Sequence, residues 1–129
     1  MIGRKEYLDK LKKWKDKDLI KAVTGIKRCG KSTLFELFME YLKSIGIEEN
    51  HIISINLENP DNDFENYKDL YKFVKQQIKD ENQYYIFLDE VQNVPEFPKA
   101  VDGLYIIKNA DVYITGSNAY LLSGELAPL

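Results

Sequence analysis

Hydrophobic residues recur along the chain with two alternating patterns. In some segments they are spaced three or four positions apart, as on one face of a helix, and in others they form short continuous runs, as in buried strands. Glycine, proline and asparagine separate the segments, and Gly46 is predicted to end a helix. The pattern predicts helices over 4–15, 34–45, 67–78 and 97–105. It predicts strands over 19–24, 51–57, 84–88 and 111–115.

Strands that alternate with helices predict parallel β-α-β units with right-handed crossovers. The continuous apolar strands are typical of a sheet covered by helices on both faces. The sequence therefore predicts an α/β fold of three layers. Ligands of such sheets bind beyond the carboxyl ends of the strands, and the polar motifs of this chain follow directly after predicted strands.

Composition fits a globular protein of one domain: 129 residues, 44% hydrophobic, 30% charged and 12% aromatic. A net charge of −3 does not indicate a nucleic-acid-binding surface. Five lysines within residues 10–17 form either a solvated helix face, which we favour, or a phosphate-binding patch. The single Cys29 excludes an internal disulfide, and no apolar run approaches the roughly 20 residues of a membrane span. We expect a soluble, cytoplasmic protein that does not contact a membrane.

The loop after the first predicted strand matches the phosphate-binding pattern G-x-x-x-x-G-K-[ST]. Gly25 and Gly30 let the main chain approach a phosphate closely, and successive N–H groups with the next helix N-terminus bind its charge. Lys31 would contact the β- and γ-phosphates, and the Ser32 hydroxyl would bind Mg²⁺. The predicted nucleotide-binding residues are Gly25, Ile26, Lys27, Arg28, Cys29, Gly30, Lys31, Ser32 and Thr33.

Three residues at variable positions of this loop keep two interpretations each. Lys27 and Arg28 could touch phosphate, although solvated side chains are the more common outcome. Cys29 is either a small filler residue or a thiol whose oxidation blocks nucleotide entry, because nearby cationic groups and the helix terminus favour the thiolate.

The apolar strand over 84–88 ends in two acids, Asp89 and Glu90. Carboxylates at the tip of a buried strand are costly unless they have partners or a function. Asp89 would hold Mg²⁺ opposite Ser32, and Glu90 would orient and deprotonate the attacking water. Without the phosphate loop, the pair would be equally consistent with a helix cap or a solvated turn.

A polar residue that senses the γ-phosphate is expected after a central strand. Asn118, with Ser117 next to it, is the candidate, and a glycine-containing turn is an equally good interpretation of this segment. Asn56 and Glu58 end the second predicted strand and are candidates for supporting contacts. His51 begins that strand and has no predicted role.

Together, the segments over 23–34, 87–94 and 114–118 resemble the AAA+-like branch of P-loop ATPases, and in particular a group of prokaryotic AAA-type ATPases. The resemblance covers essentially the whole chain. It implies strand order 5-1-4-3-2 and ATP rather than GTP. With the residue chemistry above, we predict ATP and Mg²⁺ as ligands and Glu90, Lys31 and Asn118 as catalytic residues. No N-K-x-D segment of the kind that binds guanine is present, which agrees with ATP.

Members of that group are usually longer, with a fifth strand, an arginine-bearing segment and a C-terminal domain. We therefore expect residues 1–129 to form one P-loop ATPase domain with sheet order 1-4-3-2, without the fifth strand and with the first strand as an exposed edge. The only arginines are Arg4 and Arg28. An arginine finger contributes about 10³–10⁵ in rate, so hydrolysis should be slow unless a second copy or a protein partner supplies one.

Two rival functions remain beside slow ATP hydrolysis. The chain could be a nucleotide-dependent binding module or switch with little turnover, which the lack of an arginine finger favours. It could also be a P-loop kinase, although a Glu beside the strand-end Asp argues against an enzyme that needs no water-activating base.

Overall fold

The computed structural model describes residues 4–24, 28–116 and 127–128, with side chains for 5–24 and 33–116. Four α-helices are present in these ranges: α1 (Arg4–Trp14), α2 (Arg28–Ser44), α3 (Tyr67–Lys75) and α4 (Phe97–Ile106). The strands are β1 (Lys21–Val23), β2 (Ile52–Asn56), β3 (Tyr84–Asp89), β4 (Ala110–Thr115) and β5 (Ala127–Pro128). Each predicted helix and strand is confirmed, with ends that differ by a few residues.

The strands form one sheet in the order β2-β3-β4-β1-β5, and every described pair is parallel. The predicted α/β fold and the order 1-4-3-2 are therefore confirmed. The expectation that the fifth strand is missing is wrong, because Ala127 and Pro128 pair with Lys21 and Ala22. For the same reason β1 is not an exposed edge at these residues, and β2 lies at one margin of the sheet.

Helices cover both faces of the sheet, as the continuous apolar strands predicted. Leu70 of α3 and Leu104 of α4 pack with Ile86 on one face. Leu11 of α1 and Phe38 of α2 belong to the apolar cluster on the other face. Alternate residues of each central strand thus enter two separate apolar layers, which fixes the direction in which the polar residues at the strand ends point.

Local signals explain several element ends. Gly46 follows α2 with φ of +98°, a left-handed conformation that glycine adopts without steric cost, and this confirms the predicted helix stop. Asn66 caps α3 by accepting a hydrogen bond from the Asp69 N–H at 3.0 Å. On α4, a Cβ added to Gly103 would lie 2.9 Å from the Tyr71 ring, so glycine permits close packing of α3 and α4.

A buried polar cluster lies where β1 and β4 begin, at the amino edge of the sheet. The Lys21 ammonium, fully buried, pairs with Asp111, and it also donates to the Lys17 carbonyl at 2.6 Å. Asp111 further accepts from the Tyr113 hydroxyl at 2.7 Å and from the Asp16 N–H at 2.8 Å. These contacts satisfy a carboxylate that burial would otherwise make costly, and they attach the turn after α1 to the sheet.

Tyr85 joins this cluster by donating its hydroxyl to Asp16 at 2.9 Å. Burial of the phenol, followed by the hydrogen bond to Asp16, raises the pKa of Tyr85 to about 12. Burial, and then the charge of Asp111, also raises the pKa of Tyr113 far above its ordinary value. No sequence pattern indicated this cluster, because tyrosine and lysine within apolar strands gave no motif.

No helix in the described part of the chain is both long and apolar enough to cross a membrane. The lysine-rich stretch lies on α1 and the turn after it, where Lys12 stands over the Tyr41 ring at 4.5 Å. Lys10, Lys12, Lys13 and Lys17 are solvent-exposed, as a solvated helix face requires.

Candidate functional site

Polar residues from neighbouring strands meet at the carboxyl edge of the sheet. Asp89 ends β3 and Thr115 ends β4, the strand beside it. Both point to the face covered by α2, since Phe87 and Tyr113, two positions earlier, belong to the apolar cluster on that face. The sequence-predicted Asp89 is thus placed next to a residue that the sequence analysis did not select.

The Thr115 hydroxyl connects the two acids. It accepts a hydrogen bond from the Glu90 backbone N–H at 2.9 Å, and it donates to Asp89 Oδ1. Thr115 is fully buried, and Asp89 and Glu90 are only 7% and 8% exposed. A single hydroxyl therefore fixes both the backbone of Glu90 and the carboxylate of Asp89. Thr115 ends a β-branched and aromatic strand, so its residue type carried no separate signal in the sequence.

Glu90 adopts a left-handed backbone conformation, with φ of 60° and ψ of 56°. For a residue with a Cβ this conformation costs roughly 1–2 kcal/mol, and such strain is concentrated at functional sites. It turns the chain from β3 into a 3₁₀ turn, Val91–Asn93, so that Glu90 does not continue along the strand. The Glu90 carboxylate accepts a hydrogen bond from Gln92 Nε2 at 2.8 Å.

The described elements on either side of the predicted phosphate loop are β1 and α2. β1 ends at Val23, and α2 begins at Arg28, so the N-terminus of α2 follows the carboxyl end of β1 within a few residues. One strand, β4, separates β1 from β3. With parallel strands about 4.8 Å apart, the tips of β1 and β3 are separated by about 10 Å, and the end of β4 at Thr115 lies between them.

The described part of the chain includes only some of the predicted nucleotide-binding residues. Gly25, Ile26 and Lys27 lie outside the described residues, as do Ser117 and Asn118. Arg28, Cys29, Gly30, Lys31 and Ser32 are described by their helical backbone alone, and Thr33, half-buried, follows them in α2. Gly30 lies in the first turn of α2, where its backbone is helical.

The candidates for supporting contacts, Asn56 and Glu58, lie at the end of β2 and in the turn after it. Asn56 pairs in register with Asp89, which places it at the site edge. Its Oδ1, however, accepts from the Glu58 N–H at 3.0 Å, and both residues are exposed. His51 precedes β2 and packs edge-on against Tyr84, with ring centroids 5.0 Å apart, far from the acids along the strand.

Comparisons with known proteins identify a family and a similar fold. A family model described as an AAA domain matches residues 17–129. An uncharacterized protein of Haemophilus influenzae is 37% identical over 131 residues, an alignment that covers 100% of this chain and 33% of that protein. The fold is similar to a chain in the structure of Drosophila ORC bound to AT-rich DNA and Cdc6, with a TM-score of 0.64 and 10% identity over 98% of this chain and 53% of the other.

At 10% identity, the similarity to the Drosophila chain shows the fold alone. The chain spans about a third of the Haemophilus influenzae protein and about half of the Drosophila complex chain.

Proposed function

The chain belongs to the AAA domain family, a group of nucleotide-binding ATPase-like domains, and we propose that it binds Mg²⁺·ATP and hydrolyses it slowly. The observation that carries the proposal is the joint fixation of Asp89 and Glu90 by Thr115 at the carboxyl edge of the sheet. Residues 1–129 would then be the nucleotide-binding part of a longer ATPase, in line with the share of the Haemophilus influenzae protein that they cover.

The donor set suits Mg²⁺, which prefers a few oxygen ligands and keeps the rest of its shell as phosphate and water. Asp89 offers a buried carboxylate whose position Thr115 fixes, and Ser32 is the second proposed ligand. In the described ranges no group of three or more His, Cys, Asp or Glu side chains could hold a metal by itself. When bound, ATP would supply the phosphoanhydride bond, and Mg²⁺ would neutralise part of the phosphate charge.

The residues of the chain would divide the remaining work. Backbone N–H groups from Gly25 to Ser32 and the Lys31 ammonium would bind the phosphates. Glu90 would take the proton of a water molecule as that water bonds to the γ-phosphorus and the bond to ADP breaks. Asn118 would contact the γ-phosphate. Hydrolysis should stay below about 1 s⁻¹, because no arginine follows the phosphate loop in these residues.

Titration calorimetry with Mg²⁺·ATP tests the binding step. We expect micromolar binding by the wild-type chain and a loss of at least about 100-fold in Lys31→Ala. Lys108→Ala, a lysine near the opposite edge of the sheet, is the matched control. No binding by the wild-type chain would contradict the proposal.

Phosphate release tests the chemical step. We expect slow turnover in the wild-type chain, and none in Glu90→Gln with ATP affinity retained. Equal turnover in the two proteins would refute Glu90 as the base.

The second candidate function is a nucleotide-dependent binding module with little turnover of its own. The absence of arginine after the loop favours it. A partner, either a second copy or another protein, would supply the arginine. In that case Glu90→Gln would keep ATP-dependent binding to the partner, whereas Lys31→Ala would lose it.

A further inference from the structure

Gln92 is placed against the proposed base in an arrangement that stability alone does not explain. It lies in the 3₁₀ turn directly after Glu90, and its Nε2 donates to Glu90 Oε1 at 2.8 Å. The other end of the same amide, Oε1, is buried and has no hydrogen-bond partner within the described part of the chain.

The contact with Glu90 determines which way the amide faces. The carboxylate oxygen accepts this hydrogen bond, so the NH₂ group of Gln92 points to it. The amide oxygen then points away into protein, where a buried acceptor without a donor is unfavourable. A glutamine selected for stability would satisfy both ends, and the arrangement therefore favours a role that concerns Glu90.

We propose that Gln92 is a positioning residue for the Glu90 carboxylate, an inference that rests on the proposed ATPase function. Thr115 fixes the Glu90 backbone from one side, and Gln92 fixes one carboxylate oxygen from the other. Because its backbone and one carboxylate oxygen are both held, Glu90 keeps one orientation towards the attacking water. A base that is already oriented lowers the activation free energy of hydrolysis. Gln92 gains and loses no proton in this role.

Replacing Gln92 with Met tests the role, because Met keeps the length of the side chain and removes both polar ends. We expect kcat to fall about 10-fold, with KM and the Kd for Mg²⁺·ATP within about twofold of wild type. The urea midpoint should be unchanged or higher, since the unpaired buried oxygen is removed. Gln92→Asn, one methylene shorter, should lose kcat as well because it cannot reach Glu90.

Asn93→Ala is the matched control in the same turn, since its amide donates to the Leu57 carbonyl at 3.3 Å and not to the acids. We expect wild-type kcat from it. An unchanged kcat in Gln92→Met would overturn the inference, and so would a raised one, because a raised kcat would mean that Gln92 restrains Glu90.

A measurement without nucleotide tests the contact itself. The chain has four glutamines, Gln76, Gln77, Gln83 and Gln92, so their side-chain amide signals in a ¹⁵N-correlated NMR spectrum can be assigned by substitution. Glu90→Ala should shift the Gln92 amide signals and leave those of Gln76 and Gln77 in place. Unmoved Gln92 signals would overturn the inference whatever the activity.

The two proposals fail in different ways. A wild-type chain that hydrolyses ATP no faster than Glu90→Gln overturns the proposed function, and the role of Gln92 with it. Glu90-dependent turnover that Gln92→Met leaves unchanged overturns only the role of Gln92.

Discussion

Thr115 offers the sharpest test of how the two acids are fixed. Thr115→Val keeps the shape of a fully buried side chain and removes only its hydroxyl. That hydroxyl is the hydrogen-bond partner of the Glu90 N–H and of Asp89 Oδ1. The substitution therefore removes two contacts at the site without opening a cavity.

The expected loss of stability follows from the polar groups that lose their hydrogen-bond partner. An unsatisfied buried donor costs about 1–3 kcal/mol, and a lost hydrogen bond to a charged group costs about 1.5–3 kcal/mol. A better-packed methyl group offsets part of the sum, so we expect Thr115→Val to lower the free energy of unfolding by about 2–4 kcal/mol. Thr115→Ser keeps the hydroxyl and loses one methyl group, at a cost of about 1 kcal/mol.

Urea unfolding of the three proteins at neutral pH, followed by circular dichroism, measures the difference. Equal m-values would show that the unfolded states are comparable. The same preparations should be assayed for hydrolysis, where Thr115→Val is expected to lose about 10-fold or more in kcat because the Asp89 carboxylate and the Glu90 backbone each lose the hydroxyl that orients them.

The result that would refute the reasoning is a Thr115→Val protein as stable as Thr115→Ser. It would mean that the hydroxyl contributes no net stability and that other groups hold the acids. A stable but inactive Thr115→Val protein would separate orientation of the acids from their contribution to folding.

Three further predictions concern stability. Lys21→Met leaves Asp111 buried with an unpaired charge and should cost about 3–5 kcal/mol in urea unfolding, whereas the exposed Lys17→Met should change stability by no more than about 0.5 kcal/mol. The folded-state pKa of Tyr85, about 12, lies above the ordinary 10.0. The neutral phenol therefore contributes its full stabilisation of the folded protein below pH 10.0, and this contribution is lost as pH rises through about 12. Urea midpoints should fall over that window and fall less in Tyr85→Phe; equal slopes would contradict the assignment. Glu96 is exposed and has a left-handed backbone with φ of 56°, a conformation that asparagine tolerates better. Glu96→Asn should therefore raise the free energy of unfolding by about 0.5–1 kcal/mol, measured in thermal melts, and a lower melting temperature would contradict this.

Much of the fold was predictable because apolar residues three or four positions apart indicate helices, and short continuous apolar runs indicate buried strands. The runs over 84–88 and 111–115 became β3 and β4 with only small changes at their ends. The two-residue β5 was missed because Ala127 and Pro128 make too short a segment for any period. Its pairing with β1 is decided by the sheet and not by local sequence.

At the site, the acids were predictable because charge after an apolar strand is conspicuous. The roles of Asp89 and Glu90 stay predictions, as do those of the phosphate-loop residues and Asn118. Thr115 and Gln92 could not be found in advance. A threonine in a strand and a glutamine in a polar turn are ordinary residues until the tertiary structure brings their side chains to the acids.

The order of strands has a consequence for how the molecule assembles. β2, β3 and β4 are consecutive in both sequence and space. In contrast, β1 lies near the N-terminus of the chain and pairs with β4 and β5, which lie near its C-terminus. Pairings that close long loops form late, so we expect β2–β4 to form first and β1 to dock afterwards. Because β1 leads into the phosphate loop, competence for nucleotide should appear only at the last step of refolding. Stopped-flow binding of a fluorescent ATP analogue would detect this as a lag behind the recovery of helical circular dichroism, and simultaneous recovery would exclude it.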